Sequence, residues 1–322
     1  MPNSNRIDYL DKSKGLLIIL MVAAHVFQDC YFYDLIYSFH MMAFFFISGL
    51  LLNYSSSLRK PYKKVFESKI RTMVIPFIFF ELLGILRDLL RGYHQSIFGF
   101  LHNSLTLHFN NGILWFLFTI FFAELIFIPL AKAIRNHYYL ALIAILLLVF
   151  SYFVPQNSEV LVYAVRIPRA IFFLCAGYLS ERLFTKQRSF IAFVCIAAVA
   201  VLVAFRLNVE FTTPGFRSLP FYIINSLCGI FFILNVSMYS FWGEWLKAIG
   251  RNSLIVYGTH SLYYVVFGYW LGITDFTVIT IWQGLVVLLL VALAEIPTVY
   301  LLNRYTPFLV GKKRPQLKTV TS

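Results

Sequence analysis

Two residues near the start of the chain, Lys14 and His25, are eleven positions apart in a stretch that is otherwise mostly apolar. In an α-helix this spacing is about three turns, so both side chains lie on nearly the same face, about 16 Å apart along the axis. A neutral imidazole can accept a proton from a hydroxyl group, and a lysine can bind an anion. Because ionisable groups are costly at membrane depth, the pair indicates a functional site.

Three further polar residues belong with His25. Asp29 is one turn beyond His25, where its carboxylate could accept a hydrogen bond from the imidazole or lie in the outer headgroup layer. His40 begins the second apolar stretch, and a short hairpin near residues 31–37 is expected to bring it within reach of His25. His260 is another imidazole in an apolar stretch. We predict that His25 is the base, supported by Asp29 and His40.

Composition indicates a membrane protein. The chain of 322 residues is 60% hydrophobic and 13% charged, and its mean hydropathy is +0.77. Soluble domains of this length do not have apolar stretches from end to end. We therefore predict one all-α integral membrane domain over residues 1–322, a polytopic bundle of about ten transmembrane helices, with a basic cytoplasmic tail from about residue 303.

The distribution of positive charge orients this predicted bundle. If the N-terminus is cytoplasmic, most of the 27 Lys and Arg residues lie in cytoplasmic segments, as the positive-inside rule requires. Both termini are then cytoplasmic. The ten predicted spans are residues 15–31, 37–54, 72–90, 112–131, 138–154, 167–181, 190–206, 219–240, 253–271 and 277–302.

Charged residues within these spans should face the interior of the bundle. Glu81, Glu124 and Glu295 are such residues, since a carboxylate facing lipid is strongly disfavoured. Arg169 lies where the positive-inside rule disfavours a cation, so it either binds an anionic substrate group or forms a structural pair. The basic segment that includes Lys69 and Arg71 either binds an anionic substrate or sets the topology.

Several other kinds of site have no support in the sequence. The net charge of +13 is spread over the loops, and no basic and aromatic nucleic-acid module is present. The four cysteines show no metal-ligand spacing, so we predict no metal site and no nucleic-acid partner. A glycine-rich nucleotide loop and a serine-hydrolase elbow are also missing from the sequence.

A series of short motifs resembles the acyltransferase-3 family of integral membrane O-acyltransferases. The family's first helix carries an Arg or Lys, ten residues and then a His, as Lys14 and His25 do here. The later motifs, in chain order, are Ser38-Phe39-His40-Met41, residues 45–49, Leu114-Trp115-Phe116-Leu117 with Glu124, Pro168-Arg169-Ala170, and residues 250–254 leading to His260. In two departures from the family, Met42 replaces a common proline, and Lys69 and Arg71 precede Pro76 at a wider spacing.

The resemblance implies transfer of an acetyl or other short acyl group from cytoplasmic acyl-coenzyme A to a hydroxyl of a glycan or lipid-linked sugar. Membrane lipids are the other expected partners, in the cytoplasmic (inner) membrane, and no bound cofactor is implied. We assign catalysis to His25, Asp29 and His40; donor binding to Lys14, Lys69 and Arg71; and substrate binding to Glu81, Trp115, Glu124, Arg169 and His260.

Two alternatives remain open at this point. Intramembrane His, Glu and Arg are also found in transporters, so a transporter or flippase of a polysaccharide pathway is the main rival. The sequence shows no clear inverted repeat of the kind that many transporters carry. The route of acyl transfer is also open, since it could be direct or pass through an enzyme nucleophile such as His25 or a serine.

Overall fold

The computed structural model describes residues 4–28, 30–90, 97–205, 219–239, 241, 243–273 and 275–312. Asp29 and residues 313–322, which are the second half of the predicted basic tail, therefore lie outside the described residues. The structure is 83% helical, and its described residues contain no strand. These observations confirm the all-α class.

Fourteen α-helices are present in the described part of the chain. They are α1 (Ser4–Val26), α2 (Tyr31–Tyr37), α3 (His40–Tyr54), α4 (Tyr62–Lys69), α5 (Ile75–Leu90), α6 (Ile97–Leu105), α7 (Trp115–Ala133), α8 (His137–Ser151), α9 (Glu159–Leu179), α10 (Ser189–Ala204), α11 (Leu219–Val236), α12 (Gly243–Arg251), α13 (Ser253–Trp270) and α14 (Ile281–Tyr305). Short 3₁₀ segments include Gly112–Leu114 and Pro307–Val310.

Five helical stretches are long and apolar enough to cross a membrane. They are Tyr31–Tyr54, Gly112–Ala133, Glu159–Leu179, Leu219–Val236 and Ile281–Tyr305; α8 and α10 are shorter apolar helices. This is the architecture of a multi-pass helical protein. Each of the ten predicted spans overlaps one of the helices. The number of spans and the cytoplasmic position of the termini stay predictions.

The connection between the first two predicted spans differs from the expected hairpin. Residues 31–37 form α2, and the chain turns at Ser38 and Phe39 before α3 begins. Phe39 is buried, and its ring packs against Gly229 of α11. The aromatic residues of this segment are compatible with a helix. The Tyr31 hydroxyl donates a hydrogen bond to the Ala200 carbonyl (2.5 Å). The segment therefore forms an additional helix that packs within the bundle.

A wide helical turn separates α4 from α5. Residues Ile70–Val74 form a π-helix, and Pro76 follows as the second residue of α5. Proline has no backbone N–H and its ring crowds the preceding turn, so a regular α-helical ladder cannot continue through it. A π-turn accommodates the interruption, and such turns are common at functional sites.

Helices α1 and α12 cross at two glycines. A Cβ atom on Gly15 would clash with the Leu246 carbonyl, and one on Gly250 would clash with the Asp11 carbonyl. Small residues allow this close approach of two backbones. Beside the crossing, Arg251 Nε lies 3.1 Å from Asp11 Oδ2. We call the end of the bundle where α1 begins and α14 ends the terminal end, and the opposite end the distal end.

Candidate functional site

A cavity of about 270 Å³ lies in the distal half of the bundle, at the C-terminal end of α1. The side chains that line it come from six segments of the chain, and most of them are aromatic or polar. They are Met21, His25, Tyr37, His40, Met41, Arg87, Asn111, Gly112, Ile113, Trp115, Tyr257, Ser261 and Tyr264. His25 and His40, both predicted from the sequence as catalytic, therefore face the same cavity.

The hydroxyl of Tyr37 contacts the imidazole of His25. Tyr37 Oη lies 3.0 Å from His25 Nδ1 and 3.3 Å from His25 Nε2. The Tyr37 ring also lies against His40, with ring centroids 4.7 Å apart. Because Tyr37 belongs to α2, the unexpected helix between the first two spans holds this hydroxyl in place. Tyr37 thus connects the two histidines that the sequence singled out.

Backbone hydrogen bonds orient the other two imidazoles. His40 Nδ1 is 2.9 Å from the Ile36 carbonyl, and His260 Nδ1 is 2.9 Å from the Tyr257 carbonyl. A ring nitrogen beside a carbonyl oxygen must donate, so in a neutral ring Nε2 is the acceptor. His260 Nε2 is buried and has no hydrogen-bond partner among the described residues. The His260 and His25 ring centroids are 5.1 Å apart, so the two rings pack against each other.

Glu81 does not line the cavity, but it holds in place a loop that does. Its carboxylate accepts hydrogen bonds from Asn110 N (2.8 Å), Asn110 Nδ2 (2.7 Å) and Asn111 N (3.1 Å). Asn111 in turn donates to the Gly258 carbonyl (3.3 Å) and accepts from the Ser261 hydroxyl (3.2 Å). Glu81 therefore fixes the loop that presents Asn111 to the cavity.

Trp115 forms an aromatic side of the same cavity. The guanidinium of Arg166 lies over the Trp115 ring, 4.7 Å from its centroid, and over the Tyr163 ring at 5.0 Å. A guanidinium stacked in this way restrains the indole by cation–π attraction. The predicted substrate-binding residue Trp115 is thus placed beside His25 and His40.

A second, smaller cavity of about 90 Å³ adjoins the first on the side of the terminal end. Met21, Met41 and Tyr257 line both cavities. The smaller one extends along α1 to Ile18 and along α13 to Ser253, which is the first residue of α13. Together the two cavities run beside the face of α1 between Ile18 and His25.

The predicted donor-binding residues lie towards the terminal end. Lys14 Nζ is 2.7 Å from Asp11 Oδ1. Lys69 forms an ion pair with Glu124. Arg71 is in the π-helix, and its Nε is buried without a hydrogen-bond partner among the described residues. Glu124 is thus a partner of Lys69 and is not among the described side chains that line the His25 cavity.

Arg169 occupies a separate buried cluster. Its Nε lies 3.2 Å from the Ser151 hydroxyl, and its guanidinium carbon is 4.4 Å from the centroid of the Tyr152 ring. The Tyr222 ring lies on another side at 5.9 Å. No described residue of this cluster lines the His25 cavity. The structure therefore separates Arg169 from the histidines.

The structure brings five of the predicted residues to the cavity or its immediate wall, namely His25, His40, Glu81, Trp115 and His260. The predicted role of Asp29 falls outside the described residues. Sequence reasoning missed Tyr37 and Asn111. Two signals pointed to them: the dipeptide Asn110-Asn111 between apolar stretches, and a tyrosine three residues before His40.

Comparison with known proteins gives one match. No curated protein and no solved structure matches the chain. The model of the acyltransferase-3 family, described as an acyltransferase domain, matches residues 7–301, which is most of the chain. That match supports a membrane acyltransferase over the transporter alternative. The chain belongs to the acyltransferase-3 family.

Proposed function

We propose that this membrane acyltransferase moves an acetyl or other short acyl group from acyl-coenzyme A to a hydroxyl of a cell-surface glycan or lipid-linked sugar. We place the enzyme in the cytoplasmic membrane, with the terminal end of the bundle facing the cytoplasm. Family membership supports acyl transfer. The donor, the acceptor and the membrane are our proposal, and the arguments for them follow.

The observation that carries the proposal is the position of His25. Its imidazole lines an interior cavity, contacts the Tyr37 hydroxyl, and lies at one end of a path of cavities that begins near Ser253. A general base must be within reach of the hydroxyl that it deprotonates, in a space large enough for both substrates. We therefore expect the acceptor hydroxyl to be bound in the cavity of about 270 Å³ that His25 lines.

In the proposed reaction, a neutral His25 accepts the proton of the acceptor hydroxyl while the hydroxyl oxygen attacks the thioester carbonyl. A carbon–oxygen bond forms, and the carbon–sulfur bond then breaks. The proton passes from the imidazolium to the departing thiolate, so the base is regenerated. The Tyr37 hydroxyl orients the His25 ring; His260 packs against His25, and His40 packs against Tyr37.

The path of cavities suits the thioester arm of the donor. It is narrow and apolar in its middle part, at Ile18, Met21 and Met41, and it runs parallel to about two turns of α1. A phosphate-bearing donor that enters at the terminal end would meet Lys14 first and would place its thioester near His25. Charge-assisted contacts with phosphate are among the stronger hydrogen bonds in proteins.

The distal side of the cavity suits a sugar hydroxyl. Trp115 and Tyr264 offer flat aromatic faces, while Asn111 and Ser261 offer amide and hydroxyl groups. Apolar walls with a few fixed polar groups are typical of small-molecule sites, where the polar groups set the orientation. We therefore assign the acceptor to this side, with Trp115 as its main contact.

The test is transfer of radiolabelled acetyl from acetyl-coenzyme A by the purified protein in lipid nanodiscs. We expect slow hydrolysis without an acceptor, and transfer when a cell-surface glycan or lipid-linked sugar from the host is added. In a deletion strain the glycan should be intact but lighter by one acyl ester per modified unit in mass spectrometry. A glycan of altered length, with no missing ester, would overturn the proposal in favour of a transport or polymerisation step.

Direct transfer and transfer through an enzyme nucleophile predict different intermediates. No serine or cysteine lies within four residues of His25 along the chain. We therefore propose direct transfer. Rapid quenching after the protein meets labelled acetyl-coenzyme A alone should leave no label on the protein. A labelled His25 or serine in the quenched sample would establish the two-step route.

A further inference from the structure

The segment that follows α14 returns across the terminal end of the bundle. A 3₁₀ turn, Pro307–Val310, leads to Gly311 and Lys312. Gly311 adopts a positive φ of 76°, and a Cβ atom on it would come within 3.0 Å of Thr72 Cα. Thr72 is in the π-helix, next to Arg71. The segment is therefore held against the π-helix at the position where Arg71 lies.

Lys312 is fixed beside the start of α13, whose first residue lines the smaller cavity. Its Nζ is 2.6 Å from Asn252 Oδ1 and 2.6 Å from Asn303 Oδ1. Asn252 immediately precedes Ser253, which lines the smaller cavity. Lys312 is half-buried, and both contacts that fix it are to neutral amides. Such contacts position an ammonium group without neutralising its charge.

Other cations are close to Lys312. Burial, followed by the charge of Lys14, lowers the pKa of Lys312 from its usual value near 10.5. The carboxylate of Asp11, which pairs with Lys14, is also shared with Arg251. Like charges held near one another, and partly removed from water, oppose folding unless an anion offsets them. Lys312 and Lys14 are therefore two nearby cations that a bound anion would stabilise.

We infer that Lys312, held by Asn252 and Asn303, binds the phosphate groups of the nucleotide half of the acyl donor at the terminal end. This inference rests on the proposed function for the identity of the donor. It adds a binding residue that none of the sequence patterns indicated, and it gives the segment after α14 a part in donor recognition. A lipid headgroup carries the same phosphate chemistry, and the experiment below distinguishes the two sources.

The test is binding of adenosine 3′,5′-bisphosphate to the full chain in nanodiscs of zwitterionic phosphatidylcholine. Lys312→Gln keeps donors for the two asparagine oxygens but removes the charge, and we expect Kd to rise about tenfold, the loss of one charge-assisted contact. Lys312→Arg should restore most of the binding. Arg304→Gln, which removes an exposed cation near the end of α14, is the matched control and should leave Kd unchanged.

Each other outcome overturns the inference. Failure of the unmodified protein to bind the nucleotide would do so, as would an unchanged Kd for Lys312→Gln. If anionic phosphatidylglycerol stabilises the protein in a Lys312-dependent way while the nucleotide does not bind, the site is a lipid site. If Lys312→Gln does not fold, Lys14→Gln serves in its place and should weaken nucleotide binding to a similar extent.

Acyl transfer is measured separately, so that the two proposals can fail independently. Nucleotide binding that depends on Lys312, without any acyl transfer, would overturn the proposed function but not the anion site. Where transfer occurs, Lys312→Gln should raise KM for acetyl-coenzyme A about tenfold and leave KM for S-acetyl-pantetheine unchanged, because the shorter donor has no nucleotide. Equal increases for both donors would show a merely structural role.

Discussion

Among the described residues, two clusters of polar side chains in the distal half of the bundle differ in one respect. The His25 cluster surrounds a cavity of about 270 Å³, whereas Arg169, Ser151, Tyr152 and Tyr222 pack directly against one another. Both clusters place groups at membrane depth that lipid would not tolerate. Residue type alone would rank the buried arginine as high as the imidazole.

The difference teaches that space decides what a buried polar group can do. The guanidinium of Arg169 is sandwiched by tyrosine rings, which leaves little room for a substrate and stabilises the contacts among α8, α9 and α11. The His25 ring has one hydroxyl contact and an open face. We therefore expect changes at His25 to remove activity and changes at Arg169 to remove stability, and the substrate-binding role of Arg169 stays a prediction that this comparison tests.

The largest effect is expected from His25→Ala. Loss of the general base should lower kcat for acyl transfer by about 10²- to 10⁴-fold. The unfolding temperature of the detergent-solubilised protein should change little, because the ring faces a cavity. His102→Ala, an exposed histidine on α6, is the control. Normal transfer by well-folded His25→Ala protein would remove His25 as the base.

Arg169→Met should lower stability and leave the chemistry of the surviving protein unchanged. The variant loses a buried cation–π contact and a hydrogen bond to Ser151, together worth about 2 kcal/mol in the free energy of unfolding. Thermal unfolding measures the stability, and acceptor KM at low temperature measures binding. A raised acceptor KM with unchanged stability would contradict the comparison and support the substrate-binding role.

Tyr37→Phe should have a smaller effect on activity than His25→Ala. The variant keeps the ring that packs on His40 and loses only the hydroxyl at His25. We expect kcat to fall about tenfold, the cost of one hydrogen bond to a reacting group. The pH dependence of kcat should also move, since the hydroxyl contacts the base. A fall in kcat with an unmoved pH profile would indicate that Tyr37 only shapes the cavity.

Glu81→Gln should have the smallest effect among these changes. One carboxylate oxygen would be replaced by an amide N–H that faces the donors on Asn110 and Asn111. The loop would shift, and acceptor KM should rise about three- to tenfold with kcat nearly unchanged. Steady-state kinetics with varied acceptor measures the change. Glu67→Gln, at an exposed position in α4, provides the control.

Much of the fold could be predicted from hydropathy, because each apolar stretch long enough to be a span overlaps a helix. The segment 31–37 could not, since its polar Asp34 and three tyrosines resemble a loop until α10 and α11 are present to pack against it. The π-helix could not be predicted from the sequence either, although Pro76 lies just after it in the chain.

The candidate site was partly predictable for a similar reason. His25, His40 and His260 are conspicuous in apolar stretches, and they do meet. Tyr37, Asn111 and Lys312 have common residue types in segments that the sequence describes as connections or tail. Their roles depend on which helices are neighbours, and no spacing within one helix carries that information. The ion pair of Lys69 with Glu124, two residues assigned to different substrates, is a contact of the same kind.

The crossing of α1 and α12 at Gly15 and Gly250 also affects the imidazole of His25, which lies towards the distal end of α1. Because the backbone of α1 touches the carbonyl of Leu246 at Gly15, α1 cannot rotate about its axis without a collision. Gly15 is ten residues from His25, or about 15 Å along the helix. The direction in which the His25 ring points is therefore restrained by the missing side chain of a remote residue, and a single methyl group added there would collide with α12.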